Sequence, residues 1–163
     1  MSAVINQGSH SWRVALNDTT DIPSIQNLKR DGFISGVATN RLLKTGPAGF
    51  FITNNVMPLD IVYNFSTGTA ATVVSVVSES EIIISADIFT VLGQGFMVFS
   101  NSSDGVIEYP ILYNTSAAAT LRILTSGGDD VILNNVPIGP LPIKVRRLFS
   151  TGTTAGIRVL ALS

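Results

Sequence analysis

Along most of the chain, polar and apolar residues alternate, or β-branched residues run in short blocks, and turn residues interrupt the pattern at close intervals. That spacing is the signature of many short strands rather than of helices, whose apolar positions recur every three to four residues. Strands are predicted at DIVYNF (60–65), TVVSVV (72–77), EIIIS (81–85), FMVFS (96–100), VIEYPILY (106–113), TLRIL (120–124), DVILNNV (130–136), PIKVRRLF (142–149) and GIRVLAL (156–162). Pro110 cannot donate to a ladder, so it marks an edge or a break in its segment. Glycine-rich joints, TGPAG, GQG, SSDG and SGGDD, separate the runs. IPSIQNLKRD (22–31), opened by Asp21 and Pro23, is the one helix candidate. The pattern predicts an all-β fold, an antiparallel β-sandwich or barrel-like domain.

The five residues FSTGT occur twice, at Phe65–Thr69 and Phe149–Thr153, and NNV also recurs, at Asn54–Val56 and Asn134–Val136. Both pairs keep their order, with PIGP (137–140) as a short insertion in the second copy. This reads as an internal duplication, with related units at about 33–77 and 113–163 and inserted strands at 78–110. Together these form one β domain, 17–163, preceded by an N-terminal arm, 1–16. Alternation places Leu59, Ile61, Tyr63 and Phe65 on one face of the first copy's strand, matched by Ile143, Val145, Arg147 and Phe149, and this face is the expected core. The other face carries Asp60, Val62 and Asn64, matched by Lys144, Arg146 and Leu148. Each FSTGT is expected to turn a hairpin, with glycine free to take a positive φ.

Charged residues are only 13% of the chain and the net charge is −1, about half the ~25% charge of typical soluble domains. A surface so weakly charged does little to keep copies apart, which predicts self-association. No cysteine is present, so disulfides and thiolate zinc sites are excluded. The N-terminal sequence has no basic stretch followed by a long apolar run, so no cleaved signal peptide is expected. No apolar run reaches the roughly 18 residues of a membrane-spanning helix. Asn-x-Ser/Thr occurs at Asn17, Asn64, Asn101 and Asn114, and chance in a Ser/Thr-rich chain accounts for it.

The residues that most enzymes require are sparse. His10 is the single histidine, which leaves no histidine-based triad or metal site. The carboxylate pairs Asp18/Asp21, Glu79/Glu81 and Asp129/Asp130 carry no mark of a glycosidase cleft. GPAGF and GQGF lack the Lys-Ser/Thr and the helix of a phosphate loop, and NSSDG (101–105) lacks the acidic density of a calcium loop. Lys144, Arg146 and Arg147 are too few for a nucleic-acid patch. Lys144 and Arg146 are instead candidates to pair with acidic groups of a neighbouring subunit, with Asp60 at the position equivalent to Lys144. Trp12, the sole tryptophan, is either an interface anchor on the arm or a cap on the domain core.

The stretch VILNNVPIGPLPIKVRRLFSTGTTAGIRVLAL resembles the C-terminal part of the head-spike base proteins of tailed phages and gene transfer agents, through Asn135, Val136, Pro137, Gly139, Leu141, Pro142, Ile143, Val145, Arg147 and Thr151–Ala155. NDTTDIPSI (17–25) is similar to an early segment of the same family. The resemblance covers about forty residues and brings no catalytic residues or cofactors. It implies a non-enzymatic virion protein, assembled in the host cytoplasm. Such a protein would form a symmetric homo-oligomer (trimer or pentamer), docked on the major capsid protein, a neck protein, or a spike or fibre protein. With so few clustered basic residues and no long apolar run, no nucleic-acid or membrane partner is expected. Two copies of the unit, where the family pattern has one, leave capsid decoration, head-spike base and fibre base open as locations. A receptor- or carbohydrate-binding β-sandwich is the alternative, and it would need exposed aromatic residues.

Overall fold

The computed structural model describes residues 11–45, 50–101 and 109–162. The strands are β1 (Ser11–Arg13), β2 (Leu28–Phe33), β3 (Gly36–Ala38), β4 (Arg41–Leu43), β5 (Ile61–Asn64), β6 (Thr69–Ser78) and β7 (Glu81–Ile84). They continue with β8 (Gly95–Phe99), β9 (Ile111–Asn114), β10 (Ala119–Thr125), β11 (Asp130–Val136), β12 (Gly139–Leu148) and β13 (Val159–Leu162). Every pairing among them is antiparallel. The fold is an all-β, antiparallel sandwich type, as the strand pattern predicts.

The chain divides into two compact units: residues up to Ile22 join those from Tyr109 onward, and Pro23–Glu108 form the other. The second is thus inserted into the first. The predicted duplicated segments fall one in each unit. Of the expected arm, residues 1–10 lie outside the described residues, whereas Ser11–Arg13 form a strand of the first unit, paired with β13.

The inserted unit is a sheet in the order β2-β8-β5-β6-β7-β4-β3. β6 pairs with β5 through its first half and with β7 through its second, and register shifts at Val73/Ser75 and Val76/Ser78 bend it between the two. Bulged strands of this kind turn sheet corners. The bend brings Val62, Phe96 and Val98 of β5 and β8 into one buried cluster with Leu42, Ile82 and Ile84 of β4 and β7. β5 is buried along its whole length, so the expected division into a core face and a polar face fails there. Val62 lies in the core, Asn64 is fully buried, and Tyr63 meets the Phe99 ring edge-on.

In the first unit the order is β1-β13-β9-β12-β10-β11. β12 is its corner strand, pairing with β9 through Gly139–Lys144 and with β10 through Val145–Leu148. Leu141, Val145, Leu148 and Phe149 are buried with Trp12, Leu112, Leu121, Ile123 and Val159. Residues 22–31 are not a helix: a single 3₁₀ turn (Ile25–Asn27) leads directly into β2.

The two FSTGT copies fold differently. The first closes the β5–β6 hairpin, with Asn64 opposite Thr69. The Asn64 side-chain oxygen accepts the N–H groups of Ser66 (3.0 Å) and Thr67 (3.2 Å), and Gly68 takes φ 73°. Phe65 rests on Gly95, where a Cβ would lie 1.9 Å from the ring, so only glycine fits under it. The second copy is not a hairpin, because β12 and β13 lie on opposite sides of β9. Thr153 and the following Thr154 run beside β10 instead. The Thr153 hydroxyl accepts from the Arg122 N–H (3.0 Å) and the Thr154 hydroxyl from the Thr120 N–H (2.9 Å). The likeness of the copies is local: Asn55 and Asn135 both have φ 54°, and Gly152, like Gly68, is left-handed at φ 86°. Asn55, however, lies in a turn and Asn135 in a strand.

Candidate interaction surface

Residues 50–60 of the inserted unit connect nothing regular, yet they are tightly built. Phe51 and Val56 point into the core cluster. Between them the chain makes a compact turn, in which Asn54 N–H bonds Phe50 O, Asn55 N–H bonds Ile52 O, and Val56 N–H bonds Phe51 O, each at 2.9 Å. Phe50, Ile52, Met57 and Leu59 all point outward and are exposed. Leu59, the most exposed at 64%, belongs to the predicted core face and leaves it for a clear reason. Its φ is 74°, and Leu59 and Asp60 together oppose Val73, so the alternation breaks before β5 begins. Val74, the next residue on β6, is exposed as well.

Phe50 (φ 58°) shares the left-handed backbone of Leu59. For bulky L-residues that region is uncommon and costs on the order of 1–2 kcal/mol each. Surrounding structure must enforce it, and two carboxylates do so. The Glu79 carboxylate accepts the N–H of Ile52 (3.0 Å), the N–H of Thr53 (3.1 Å) and the Thr53 hydroxyl (2.7 Å). These bonds, the hydroxyl's first, hold the Glu79 pKa below its ordinary value. At the other end, Asp60 is buried. One of its oxygens accepts the Met57 N–H and the Lys29 ammonium, both at 2.7 Å, and the other accepts the Asn101 N–H (3.3 Å). Lys29 also donates to Asn55 O at 2.7 Å. The result is a clamped segment that presents Phe50, Ile52, Met57 and Leu59 outward, with Thr53 and Asn55 exposed among them.

A second polar network lies in the first unit. Asp21 accepts from Arg146 Nε (2.5 Å) and Arg147 Nε (2.8 Å), and Arg147 also donates to the backbone oxygen of Asp18 (3.1 Å). Asp18 takes the Thr151 N–H (2.9 Å) and the hydroxyls of Ser150 and Thr151 (2.7 Å each). The Thr151 N–H first, then the hydroxyls, lower the Asp18 pKa to about 2. Arg122 forms a two-bond pair with Asp130 (3.0 and 2.7 Å) and lies 4.5 Å from the Phe149 ring centroid, with Arg147 at 5.7 Å. Three arginines are thus matched by three aspartates, and the network is a brace with no net charge to offer a ligand.

These placements revise the residues picked from sequence. Asp60 faces inward to Lys29 and supports the apolar segment without being a contact itself. Arg146 pairs through Nε with Asp21 of its own chain. Lys144 is exposed on β12. Trp12 is 2% exposed in the first unit's core, so of its two readings the structure selects the core one. Asn64 and Asn114 are buried, and their amide nitrogens donate to Ile88 O (2.7 Å) and to Val136 O and Pro137 O (3.1 Å each), which rules them out as glycan acceptors. His10 lies outside the described residues, as does most of NSSDG. Sequence reading missed the segment 50–59 because FFITNNVMPL carries no periodicity that separates inward from outward positions. Comparisons with protein-family models, curated proteins and solved structures give no match.

Proposed function

We propose that the chain is a non-enzymatic structural protein of a bacteriophage particle, a capsid decoration, head-spike or fibre-base component that assembles as a symmetric homo-oligomer. It docks on a capsid or neck protein through the segment 50–59. The observation that carries this reading is the clamped display of Phe50, Ile52, Met57 and Leu59. Burying such side chains against a partner yields roughly 25 cal/mol per Å² of apolar area, and the clamp means that little ordering entropy is lost on docking. The segments that resemble head-spike base proteins support it too. NDTTD and RRLFSTGTT meet in one network through Asp18, Asp21, Arg146, Arg147, Ser150 and Thr151.

The test is the protein content of particles purified from cells that carry the intact gene or a Met57→Asp/Leu59→Asp version. The wild-type chain should appear in fixed ratio to the capsid protein, and the charged version, folded by circular dichroism, should be lost from particles. Absence of the wild-type chain, or full retention of the variant, overturns the proposal. Saturable binding of the wild-type chain to a glycan array, without incorporation, would point to the carbohydrate-binding alternative.

A further inference from the structure

We infer that β11 is a self-association edge, at which two copies of this chain pair antiparallel through residues 130–134 to extend the first unit's sheet across a two-fold axis. The inference rests on the assembly role proposed above and names one of its contacts.

Among the described residues the two sheets end in four edge strands, β1, β11, β2 and β3. An edge strand exposes unpaired N–H and C=O groups, and proteins blunt it by shortness, by bulges or by charge. β1 and β3 are three residues long. β2 carries Lys29, Arg30 and Asp31 and a register shift between Leu28 and Arg30. β11 has none of these protections over Asp130–Asn134: it is seven residues long, reads DVILNNV, and keeps an unbroken register with β10 from Asp130 to Leu133. Its one charged residue, Asp130, is occupied by Arg122. Ile132 stands 56% exposed at the middle of this regular stretch.

The occupant of such an edge must be an extended strand, because the groups to be matched are main-chain donors and acceptors. Charge selects which one. Parallel alignment of two β11 strands would set Asp130 beside its copy, about 5 Å away, with Asp129 following. Antiparallel alignment about Ile132 sends the two acidic ends apart, to about 14 Å at ~3.4 Å per residue, and places Asp130 opposite the neutral Asn134. The two Ile132 side chains then meet across the axis as an apolar cross-strand pair. A second copy supplies this strand in matched register, and at a net charge of −1 the copies approach without long-range repulsion. Asn135, left-handed at φ 54°, ends the regular stretch and fixes the length of the contact. The contact is isologous, so it gives a dimer, or doubles a ring of three or five into six or ten.

The absence of cysteine makes the test clean. Single cysteines are introduced at positions 131, 132, 133 and 134 of the full chain, with Ala86→Cys as a control in the inserted unit, and each protein is oxidised at low micromolar concentration. A disulfide-linked dimer should form strongly at position 132, which faces its own copy across the axis, and weakly or not at all at 131, 133, 134 and in the control; crosslinking absent at 132 overturns the register. Sedimentation of the unmodified chain should show an even number of 17.2 kDa subunits, and Ile132→Lys should raise the dissociation constant about tenfold or more with unchanged circular dichroism. The proposal is overturned if the chain is monomeric throughout, if the oligomer is odd-numbered, or if Ile132→Lys leaves association intact. Because docking is read on particles with the Met57/Leu59 variant, failure of this contact is distinct from failure of the particle role.

Discussion

Leu59 shows how one backbone angle relocates a side chain that alternation assigns to the core. At φ 74° its conformation suits glycine, and its exposed side chain contributes little to the folded state. Leu59→Gly should therefore stabilise the protein by up to about 1 kcal/mol, the strain relieved less the entropy that glycine adds to the unfolded chain. The midpoint would rise by roughly 2–4 °C and be read by scanning calorimetry, while incorporation into particles falls. A variant that loses stability would show that Leu59 serves the fold and not the surface. Asp18 allows a test with a defined pH window. Its pKa is lowered to about 2 by the Thr151 N–H and then the Ser150 and Thr151 hydroxyls, so the folded state favours its ionised form. That contribution is complete above the ordinary carboxylate value near 4 and disappears as pH falls through about 2. Asp18→Asn should melt below wild type at pH 6, and the gap should close between about pH 4 and pH 2. A gap independent of pH would remove the carboxylate's role.

At the scale of elements, legibility followed the balance between local pattern and distant contacts. β5, β6, β7, β8, β10, β11 and β12 were readable because each carries a run of Val, Ile, Leu, Tyr, Phe or Met that no helix periodicity explains. The strands β1, β3 and β4 are three residues long, too short to show alternation. β2, LKRDGF, hides its pattern in the charges of an edge strand. The clamped segment was beyond sequence reading for a similar reason: Lys29 reaches Asp60, and Glu79 reaches Ile52 and Thr53, across long stretches of chain. Glu79 sits in the β6–β7 turn and fastens the near end of that segment. In Glu79→Ala the amides of Ile52 and Thr53 lose their acceptor. Hydrogen exchange at those two positions should accelerate at least about tenfold, as expected for local opening, while exchange in β5 and β8 stays unchanged. Uniform acceleration across the inserted unit would mean that Glu79 supports the whole unit rather than the segment.

Across the whole molecule, the repeated words proved to be local solutions reused in different settings. FSTGT supplies a phenylalanine anchor, a left-handed glycine and threonine hydroxyls, and these close a hairpin in one unit and flank a strand in the other. The sequence, read as one β domain over 17–163, did not reveal that Pro23–Glu108 forms a unit inserted between the two stretches of the other. The same arrangement decides what Trp12 does. An arm that docks on a partner would leave the fold intact when its anchor is removed. Here β1 closes the first unit's sheet against β13, the last described strand, so the two ends of the described chain are held together and Trp12 is part of what holds them. Trp12→Ala should cost on the order of 3–5 kcal/mol, as for other buried large-to-small changes, measured by urea unfolding followed by far-ultraviolet circular dichroism. Folded Trp12→Ala protein, selected at low temperature, should still join particles, because the segment 50–59 is untouched. Wild-type stability combined with lost incorporation would return Trp12 to the role of an interface anchor and set its burial aside.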